Sequence, residues 1–254
     1  MKGNLTIDIG NTSVKVAFFV GAQIAATNRF AGSDTCLLER FISSYKPDTA
    51  ITCSTASSDV SRQIEELVEQ RCRRVLHLSH ETPLPITLGY RTPSTLGRDR
   101  IATAVGAWTI AQRLEEDSNV LIIDAGTAIT YDLVSADGCF VGGNIAPGLS
   151  LRFKALHEHT GRLPLVQAEG DTPMVGYDTL TAIRSGVMLG LLGEIKSYIA
   201  DLKLSYPNLM VFITGGDGKL LHSRLGDESI IYYEHLAAEG LNRIYLYHAA
   251  NETN

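Results

Sequence analysis

The amino-acid sequence predicts an α/β fold made of two related halves, with a mixed sheet in each. Three observations lead to this prediction. Segments with the pattern of strands alternate with segments that have the pattern of amphipathic helices. Two passages, residues 5–19 and 121–134, repeat one pattern at a distance of nearly half the chain. The length of 254 residues is also sufficient for two domains, because domains usually contain roughly 100–200 residues.

Each of the two similar passages has the pattern of a β-hairpin. An apolar run is followed by Asp-x-Gly, by small hydroxyl residues and by a second β-rich stretch. Asp8 aligns with Asp124 and Gly10 with Gly126, so the offset is 124 − 8 = 116 residues in one pair and 126 − 10 = 116 in the other. β-branched and aromatic residues around a glycine turn favour a hairpin. The alternative is a coincidence between two strand–turn–strand units, which are common in proteins.

The remaining elements follow from hydrophobic periodicity and turn residues. Apolar residues at helical spacing predict helices at 34–46, 58–74 and 99–114. Lys46-Pro47 is expected to end the first of these helices. Further segments are predicted as strands at 50–53, 75–78 and 209–214, as helices at 176–203 and 235–247, and as a loop-rich stretch at 142–150. The polar run 115–119 predicts a domain boundary, which divides the chain into halves 1–117 and 118–254.

Composition excludes several classes of protein. The 22 basic and 28 acidic residues give a net charge of −6, whereas a protein that binds DNA or RNA normally presents a basic face. No apolar run reaches the ~18–20 residues of a membrane helix, and the N-terminus lacks the pattern of a signal peptide. The four cysteines form no C-x-x-C pair. We therefore expect a cytoplasmic protein with reduced thiols, without a structural zinc site, a nucleic-acid partner or a membrane partner.

The turn of the first hairpin is suited to holding a phosphate chain. Gly10 lets the backbone approach a ligand, and successive N–H groups near Asn11 and Thr12 can surround a phosphate. Asp8 can hold Mg²⁺ directly or through water, because Mg²⁺ prefers oxygen ligands. Ordinary turns also use Asp and Gly, but the second hairpin repeats the pattern at 124–127. Two such hairpins facing each other across a cleft are what the phosphates of a nucleotide require.

A third glycine-rich element, Thr214 to Gly218, directly follows the apolar strand 209–213. Its small residues, Gly215 and Gly216 among them, would let adenine or ribose pack against the backbone. A strand-to-helix turn also favours glycine. Because two candidate phosphate hairpins precede this element, the nucleotide interpretation is preferred. Neither a Walker A loop nor a Rossmann fingerprint occurs in the sequence.

The ordered set of hairpin, hairpin and Thr-Gly-Gly element resembles the ATP-binding superfamily of sugar kinases, Hsp70 and actin, which implies RNase H-like or actin-like halves around a nucleotide cleft. Within that superfamily the chain resembles the type III pantothenate kinases. The stretches that carry this resemblance lie at 90–93, 96–100, 142–148, 176–179, 185–186 and 239–241. The resemblance implies phosphorylation of pantothenate by ATP, the first step of coenzyme A biosynthesis. The alternatives are a kinase for another small hydroxyl substrate and a non-catalytic, nucleotide-binding regulatory protein.

The resemblance also implies roles for individual residues. Asp99 matches the general base, which takes the proton of the substrate hydroxyl, although it could instead be a helix N-cap. Arg100 would face the pantothenate carboxylate, unless it is a surface charge. The pantothenate-binding positions are Tyr90, Gly97, Arg98, Asp99, Arg100 and Thr179. The ATP-binding positions are Asp8, Ile9, Gly10, Asn11, Thr12, Ser13, Val14, Lys15, Thr127, Gly215 and Gly216.

Cations and a second subunit are implied by the same resemblance. Asp124 matches the ligand of a monovalent cation, potassium or ammonium, which the family requires besides ATP and Mg²⁺. Thr179 matches a residue that reaches in from the neighbouring subunit, so a homodimer is implied; the alternative for Thr179 is a helix N-cap or a surface hydroxyl. Lys15 departs from the pattern, because small or apolar residues are commoner there, and no catalytic role is assigned to it.

Overall fold

The computed structural model describes residues 3–10, 12–31, 34–55 and 58–251. The chain divides into two compact units. Unit 1 consists of Met1–Arg113, Gly138–Phe140 and His235–Asn254, and unit 2 of Leu114–Asp137 and Val141–Glu234. Within the described ranges, none of the helices has the length and apolar character that crossing a membrane would require.

The described residues form eleven β-strands and seven α-helices. The strands are β1 (Asn4–Ile9), β2 (Val14–Val20), β3 (Gln23–Phe30), β4 (Thr49–Ser54), β5 (Arg74–His77), β6 (Thr87–Leu88), β7 (Asn119–Ala125), β8 (Ala128–Val134), β9 (Cys139–Pro147), β10 (Leu209–Thr214) and β11 (Ile230–Tyr232). The helices are α1 (Thr35–Tyr45), α2 (Ser58–Arg71), α3 (Arg98–Leu114), α4 (Leu149–Glu158), α5 (Thr179–Ser205), α6 (Gly218–Leu225) and α7 (Leu236–Asn251).

The sheet of unit 1 is mixed, as predicted, with the strand order β3-β2-β1-β4-β5. β1 pairs antiparallel with β2 and parallel with β4. The first predicted hairpin is therefore confirmed, and Asp8 lies opposite Lys15 in its register. On β1, Leu5, Ile7 and Ile9 are fully buried and belong to one core cluster with apolar residues of α1 and α2. Since side chains alternate along a strand, Asp8 projects from the opposite face.

Helix α7 completes unit 1 by packing against its sheet and against α3. Asn4 on β1 donates a hydrogen bond from Nδ2 to Oδ1 of Asn242 at 3.0 Å, and Asn242 donates to the carbonyl oxygen of Gly21 at 3.0 Å. Asn242 is 2% exposed, and a buried amide requires such partners. These bonds attach α7 to β1 and to the turn that follows β2.

The second sheet has the strand order β11-β10-β7-β8-β9-β6, in which β6 pairs with Cys139 and Phe140 of unit 1. β7 pairs antiparallel with β8 and parallel with β10, so this sheet is also mixed. The second predicted hairpin is thereby confirmed, and Asp124 lies opposite Thr130. Apolar residues of β7 and β10 form one buried core with apolar residues of α4, α5 and α6. Leu121, Leu191 and Leu221 are among its fully buried members.

The prediction of a loop-rich stretch at 142–150 is wrong. Strand β9 continues to Pro147, and α4 begins at Leu149. Gly142, Gly143 and Pro147 obscured the strand, because glycine and proline are depleted in strands. The elements that the sequence analysis did not predict are β3, β6, β11, α4 and α6.

Candidate functional site

The turn of the first hairpin is closed by one backbone hydrogen bond, in which Gly10 N donates to Ser13 O at 3.1 Å. Thr12 is exposed in this turn, and Asn11 lies outside the described residues. The turn is flanked by two fully buried residues, Ile9 and Val14. Their side chains fix the backbone of the turn, so these residues can reach a ligand only through main-chain atoms. A short turn anchored in this way can offer its N–H groups to an anion.

Asp8 ends β1 beside this turn, with 14% of its side chain exposed and the Nζ of Lys15 3.5 Å from its Oδ2. Burial raises the pKa of the Asp8 carboxyl above its ordinary value; Lys15 lowers this pKa, the negative charge of Asp99 raises it, and Arg29 lowers it slightly. A cation bound here would offset both the burial and the nearby carboxylate. The environment of Asp8 therefore fits a metal ligand.

Helix α3 begins at Arg98, so Asp99 lies within its first turn. The interpretation of Asp99 as the N-cap is wrong, because α3 already begins at Arg98. The Oδ1 of Asp99 accepts a hydrogen bond from the adjacent backbone N of Arg100 at 2.9 Å. A Cβ atom on Gly97 would lie 2.5 Å from that same Oδ1. Glycine at position 97 thus leaves the room that the Asp99 carboxylate occupies.

The first hairpin and the start of α3 are neighbours, as the buried thiol of Cys53 shows. Cys53 lies opposite Asp8 in the parallel pairing of β1 with β4. Burial raises the pKa of Cys53, the charges of Asp8 and Asp99 raise it further, and Arg98 and Lys15 lower it. Because all four charged groups act on one thiol, they gather around the carboxyl ends of β1 and β4.

The guanidinium of Arg100 lies over two neighbouring aromatic rings, whose centroids are 6.1 Å apart. Its guanidinium carbon lies 5.8 Å from the ring centroid of Tyr90 and 5.8 Å from that of Phe140. The residue is 6% exposed, so its interpretation as a surface charge is wrong. Cation–π contacts of this kind orient a guanidinium, and the planar fork of a guanidinium pairs well with a carboxylate. Phe140 was missed, because a single aromatic residue before a glycine-rich stretch carries no motif of its own.

In unit 2, the turn of the second hairpin is crowded by a second loop. Gly126 N donates to Ala128 O at 3.1 Å, and Gly148 N donates to Thr127 O at 3.0 Å. A Cβ atom on Gly148 would lie 2.2 Å from the carbonyl oxygen of Gly126. The close approach fixes the backbone of the turn, and the Thr127 side chain is exposed on it.

The Thr-Gly-Gly element packs on the end of β7 in the same unit. Gly215 has φ +93°, and a Cβ atom there would lie 2.5 Å from Asp124 Oδ1 and 2.5 Å from Ala125 O. Both the conformation and the space require glycine at this position. Asp217 N donates to Ala125 O at 2.9 Å, and Gly216 is exposed. The structure thus brings Asp124 and the two predicted glycines together.

An ion pair within the same unit supports the loop that contains Gly148. Arg152 donates from Nη2 to both carboxylate oxygens of Glu194, at 3.0 and 2.8 Å, and from Nε to the carbonyl oxygen of Pro147 at 2.8 Å. Tyr131 donates its hydroxyl to Glu194 Oε1 at 2.7 Å. Burial and the hydrogen bond to Glu194 raise the pKa of Tyr131. These contacts could not be predicted from the sequence, because the residues that make them lie far apart in the chain.

Thr179 is the first residue of α5, and its side chain is exposed. It is not the N-cap, since Asp178 fills that position and accepts a hydrogen bond from Thr181 N at 2.7 Å. Thr179 is therefore a surface hydroxyl in the single chain. Large apolar side chains are exposed just before it, at 84%, 80% and 70% for Met174, Val175 and Tyr177.

The described residues contain no group of three or more His, Cys, Asp or Glu side chains arranged to hold a metal ion. Asp8 and Asp124 are instead single carboxylates at the ends of equivalent strands, each next to a glycine-containing turn. A lone carboxylate fits Mg²⁺ or a large monovalent cation when phosphate oxygens and water supply the other ligands. This arrangement suits a cation that accompanies a phosphorylated ligand.

Sequence comparisons agree on one family. Residues 4–201 match the sequence model of type III pantothenate kinase. A type III pantothenate kinase from Phocaeicola vulgatus is 43% identical over 248 residues, which cover 96% of this chain and 98% of that protein. One from Porphyromonas gingivalis is 41% identical over 250 residues, or 97% of this chain and 99% of that protein.

Solved structures share the fold at low sequence identity. A Campylobacter jejuni protein that its name places in a Baf family of transcriptional activators has a TM-score of 0.62 at 21% identity, over 98% of this chain and 100% of that one. A glucokinase from an Antarctic psychrotroph has a TM-score of 0.52 at 13% identity, over 97% and 99%. At these identities the likeness concerns the fold alone, and this chain shares that fold with a glucokinase.

Proposed function

Because this chain belongs to the type III pantothenate kinase family, we propose that Asp99 is the general base of its reaction, which phosphorylates pantothenate with ATP in the first step of coenzyme A biosynthesis. The protein is thus a phosphotransferase with an alcohol group as acceptor. The observation that supports the role of Asp99 is its place at the start of α3. From there its negative charge raises the pKa of Asp8, which lies beside the turn of the first hairpin.

In the proposed step the primary hydroxyl oxygen of pantothenate forms a bond to the γ-phosphorus of ATP. The bond between that phosphorus and the oxygen bridging it to ADP breaks, and Asp99 takes the hydroxyl proton. The pantothenate carboxylate pairs with the guanidinium of Arg100, which Tyr90 and Phe140 hold in place. The remaining proposed contacts to pantothenate are Gly97, Arg98 and Thr179.

We assign the ATP phosphates to the turn of the first hairpin and to Thr127 of the second. The buried flanks of the first turn and the hydrogen bonds around Gly126 support this role, because a fixed backbone presents its N–H groups without reorganisation. Adenosine is assigned to Gly215 and Gly216. The residues of the first turn that contribute are Asp8, Ile9, Gly10, Asn11, Thr12, Ser13, Val14 and Lys15.

Two cations are proposed to accompany ATP. Asp8 would hold Mg²⁺ and Asp124 would hold potassium or ammonium, and these ions would neutralise the charge of the phosphates. The raised pKa of Asp8, caused mainly by burial, supports a cation as its partner in the working enzyme. Asp124, in contact with the backbone of the Thr-Gly-Gly element, offers a carboxylate next to the proposed nucleotide.

A homodimer and a cytoplasmic location complete the proposal. The apolar side chains of Met174, Val175 and Tyr177 are exposed beside Thr179, and a second subunit would remove them from water. All four cysteines are free thiols, which suits a reducing compartment. Thr179 would then complete the pantothenate site of the partner subunit.

The Asp99→Asn variant tests the proposed base. We expect kcat to fall by about 10²–10⁴-fold, while the affinity for ATP stays close to that of the wild type. Asp59→Asn is the matched control, because Asp59 is also in the first turn of a unit 1 helix but is exposed. Near-normal turnover of Asp99→Asn, measured with pantothenate and a panel of other small alcohols, would remove Asp99 from the mechanism.

The role of Asp124 is tested by the dependence of the rate on monovalent cations. The wild type should lose activity when sodium replaces potassium and ammonium, and Asp124→Asn should lose the response to potassium. Full activity of the wild type in sodium alone would overturn the proposed monovalent site without touching the role of Asp99.

A further inference from the structure

Three charged residues form a row across the first three strands of unit 1. Asp8 on β1 lies directly opposite Lys15 on β2, and Lys15 lies directly opposite Arg29 on β3. Directly opposite residues of an antiparallel pair point to the same face of the sheet. The row therefore presents one negative and two positive side chains side by side, at the end of the strands where the first turn lies.

The pairing of Lys15 with Arg29 is unfavourable by itself, since like charges opposite each other destabilise a sheet. Asp8 can offset one of them, and it does so for Lys15 at 3.5 Å. Among the residues that the structure describes, no carboxylate pairs with Arg29 in this way. Its Nε donates to Ser13 Oγ at 3.0 Å, and in the described part of the chain its Nη1 and Nη2 have no acceptor. The terminal amino groups of Arg29 are thus available while the side chain is tethered.

The hydrogen bond to Ser13 directs the Arg29 side chain toward the turn of the first hairpin. Ser13 is the residue whose carbonyl closes that turn by accepting from Gly10 N. The positive charge of Arg29 also lowers the pKa of Asp8, so the guanidinium is within electrostatic range of that carboxylate. A planar donor fork beside an anion-binding turn is suited to two oxygens of one phosphoryl group.

We propose that Arg29 binds the terminal phosphoryl group of the nucleoside triphosphate and makes the site distinguish a triphosphate from a diphosphate. This inference rests on the proposed role of the first turn in holding phosphate. The terminal group is favoured because Arg29 shares its row with Asp8, whose charge is coupled to that of the proposed base, Asp99. A diphosphate lacks the group that Arg29 binds, so its affinity does not depend on this side chain.

The test compares the affinities of the full-length protein and its Arg29→Gln variant for a non-hydrolysable ATP analogue and for ADP, by calorimetry. We expect the analogue to bind about tenfold more weakly or worse, and ADP to change by less than about twofold. Arg29→Lys should restore part of the lost affinity, because it keeps the charge but not the fork. The KM for pantothenate should stay at the wild-type value.

Arg40→Gln on α1 is the matched control, because Arg40 is exposed in the same unit and the charge change is identical. It should leave both affinities unchanged. An equal loss for ADP and the analogue in Arg29→Gln, or no loss for either, would overturn the inference.

A second variant tests separately whether the turn of the first hairpin holds phosphate. Gly10→Val, checked for folding by circular dichroism, alters the first turn itself, where a Cβ atom would lie 3.2 Å from Ser13 O. We expect it to weaken both nucleotides. Unchanged nucleotide affinity in a folded Gly10→Val protein would show that the first turn does not hold phosphate, and would overturn both proposals. A loss in Gly10→Val without any loss in Arg29→Gln would overturn the inference about Arg29 alone.

Discussion

The backbone of α3 at Ala102 touches the backbone of α7 at Gly240, so closely that a Cβ atom on Gly240 would lie 1.7 Å from the carbonyl oxygen of Ala102. From the other side, a Cβ atom on Gly106 would lie 2.2 Å from the carbonyl oxygen of Leu236. The two helices therefore meet backbone to backbone, with glycine required on both. Because α3 begins with the turn that contains Asp99, this contact fixes the helix that presents the proposed base.

Gly240→Ala should destabilise the protein by about 1–3 kcal/mol, because the added methyl group forces the two helices apart. Urea unfolding gives the free energy. Gly193→Ala is the control, since Gly193 lies within α5, is exposed and has no atom within 4 Å of an added Cβ. That change should stabilise the helix by about 0.5–1 kcal/mol. Equal stability of Gly240→Ala and the wild type would contradict the close contact.

Asp8→Asn should stabilise the free protein at neutral pH while abolishing turnover. The pKa of Asp8 is raised in the folded state, so the folded protein binds this proton more tightly than the unfolded chain does. Ionisation of Asp8 therefore costs stability as the pH rises through that raised pKa. Asparagine cannot ionise. The difference in unfolding free energy between variant and wild type should be small in acid and grow toward neutral pH; a variant less stable than the wild type at neutral pH would contradict this account.

Arg100→Lys should raise the KM for pantothenate by about tenfold or more, because lysine lacks the planar fork and the contact with two rings. The KM for ATP should change little, since the guanidinium lies over the rings of Tyr90 and Phe140 and is assigned to the pantothenate carboxylate, while the ATP phosphates are assigned to the two hairpin turns. Steady-state kinetics with each substrate varied in turn separates the two constants. An unchanged KM for pantothenate would mean that Arg100 has a structural role only.

The pair of Arg152 and Glu194 should show a coupling energy of about 0.5–3 kcal/mol in a double-mutant cycle with Arg152→Met and Glu194→Gln. The reason is that both side chains are largely buried, at 21% and 28% exposed, and the arginine contacts both carboxylate oxygens. The exposed pair Arg62 and Asp59 is the control, for which such pairs typically give at most about 0.5 kcal/mol. Equal coupling in the two cycles would show that the buried pair does not support its loop.

Local pattern was sufficient for the parts of the fold that matter most to the site. Both hairpins were predicted because a β-rich run, a glycine turn and a second run are contiguous in sequence. Helix α3 was predicted to within one residue of its start, since Ile101, Ala102 and Val105 recur at helical spacing and are fully buried.

Contacts between distant residues could not be predicted in the same way. β3 was missed because most of its side chains are exposed, so that it lacks a strong hydrophobic alternation. Phe140 reaches Arg100, and Arg152 reaches Glu194, only once the sheets and helices are assembled. Neither pair has a spacing that periodicity can detect, and a single sequence offers no other signal for them.

The place of α7 in unit 1 also sets an order of events on the ribosome. Every residue of unit 2 is synthesised before α7, which is the last described element of the chain. Domains tend to fold as units while the chain emerges, so unit 2 can fold while β1 still lacks the helix that supplies Asn242. Unit 1, which carries Asp8 and Asp99, can therefore complete its fold only after α7 has been synthesised. Release of the polypeptide before α7 has been made would leave a folded unit 2 joined to an incomplete unit 1. Chaperones and proteases would act on such an incomplete unit.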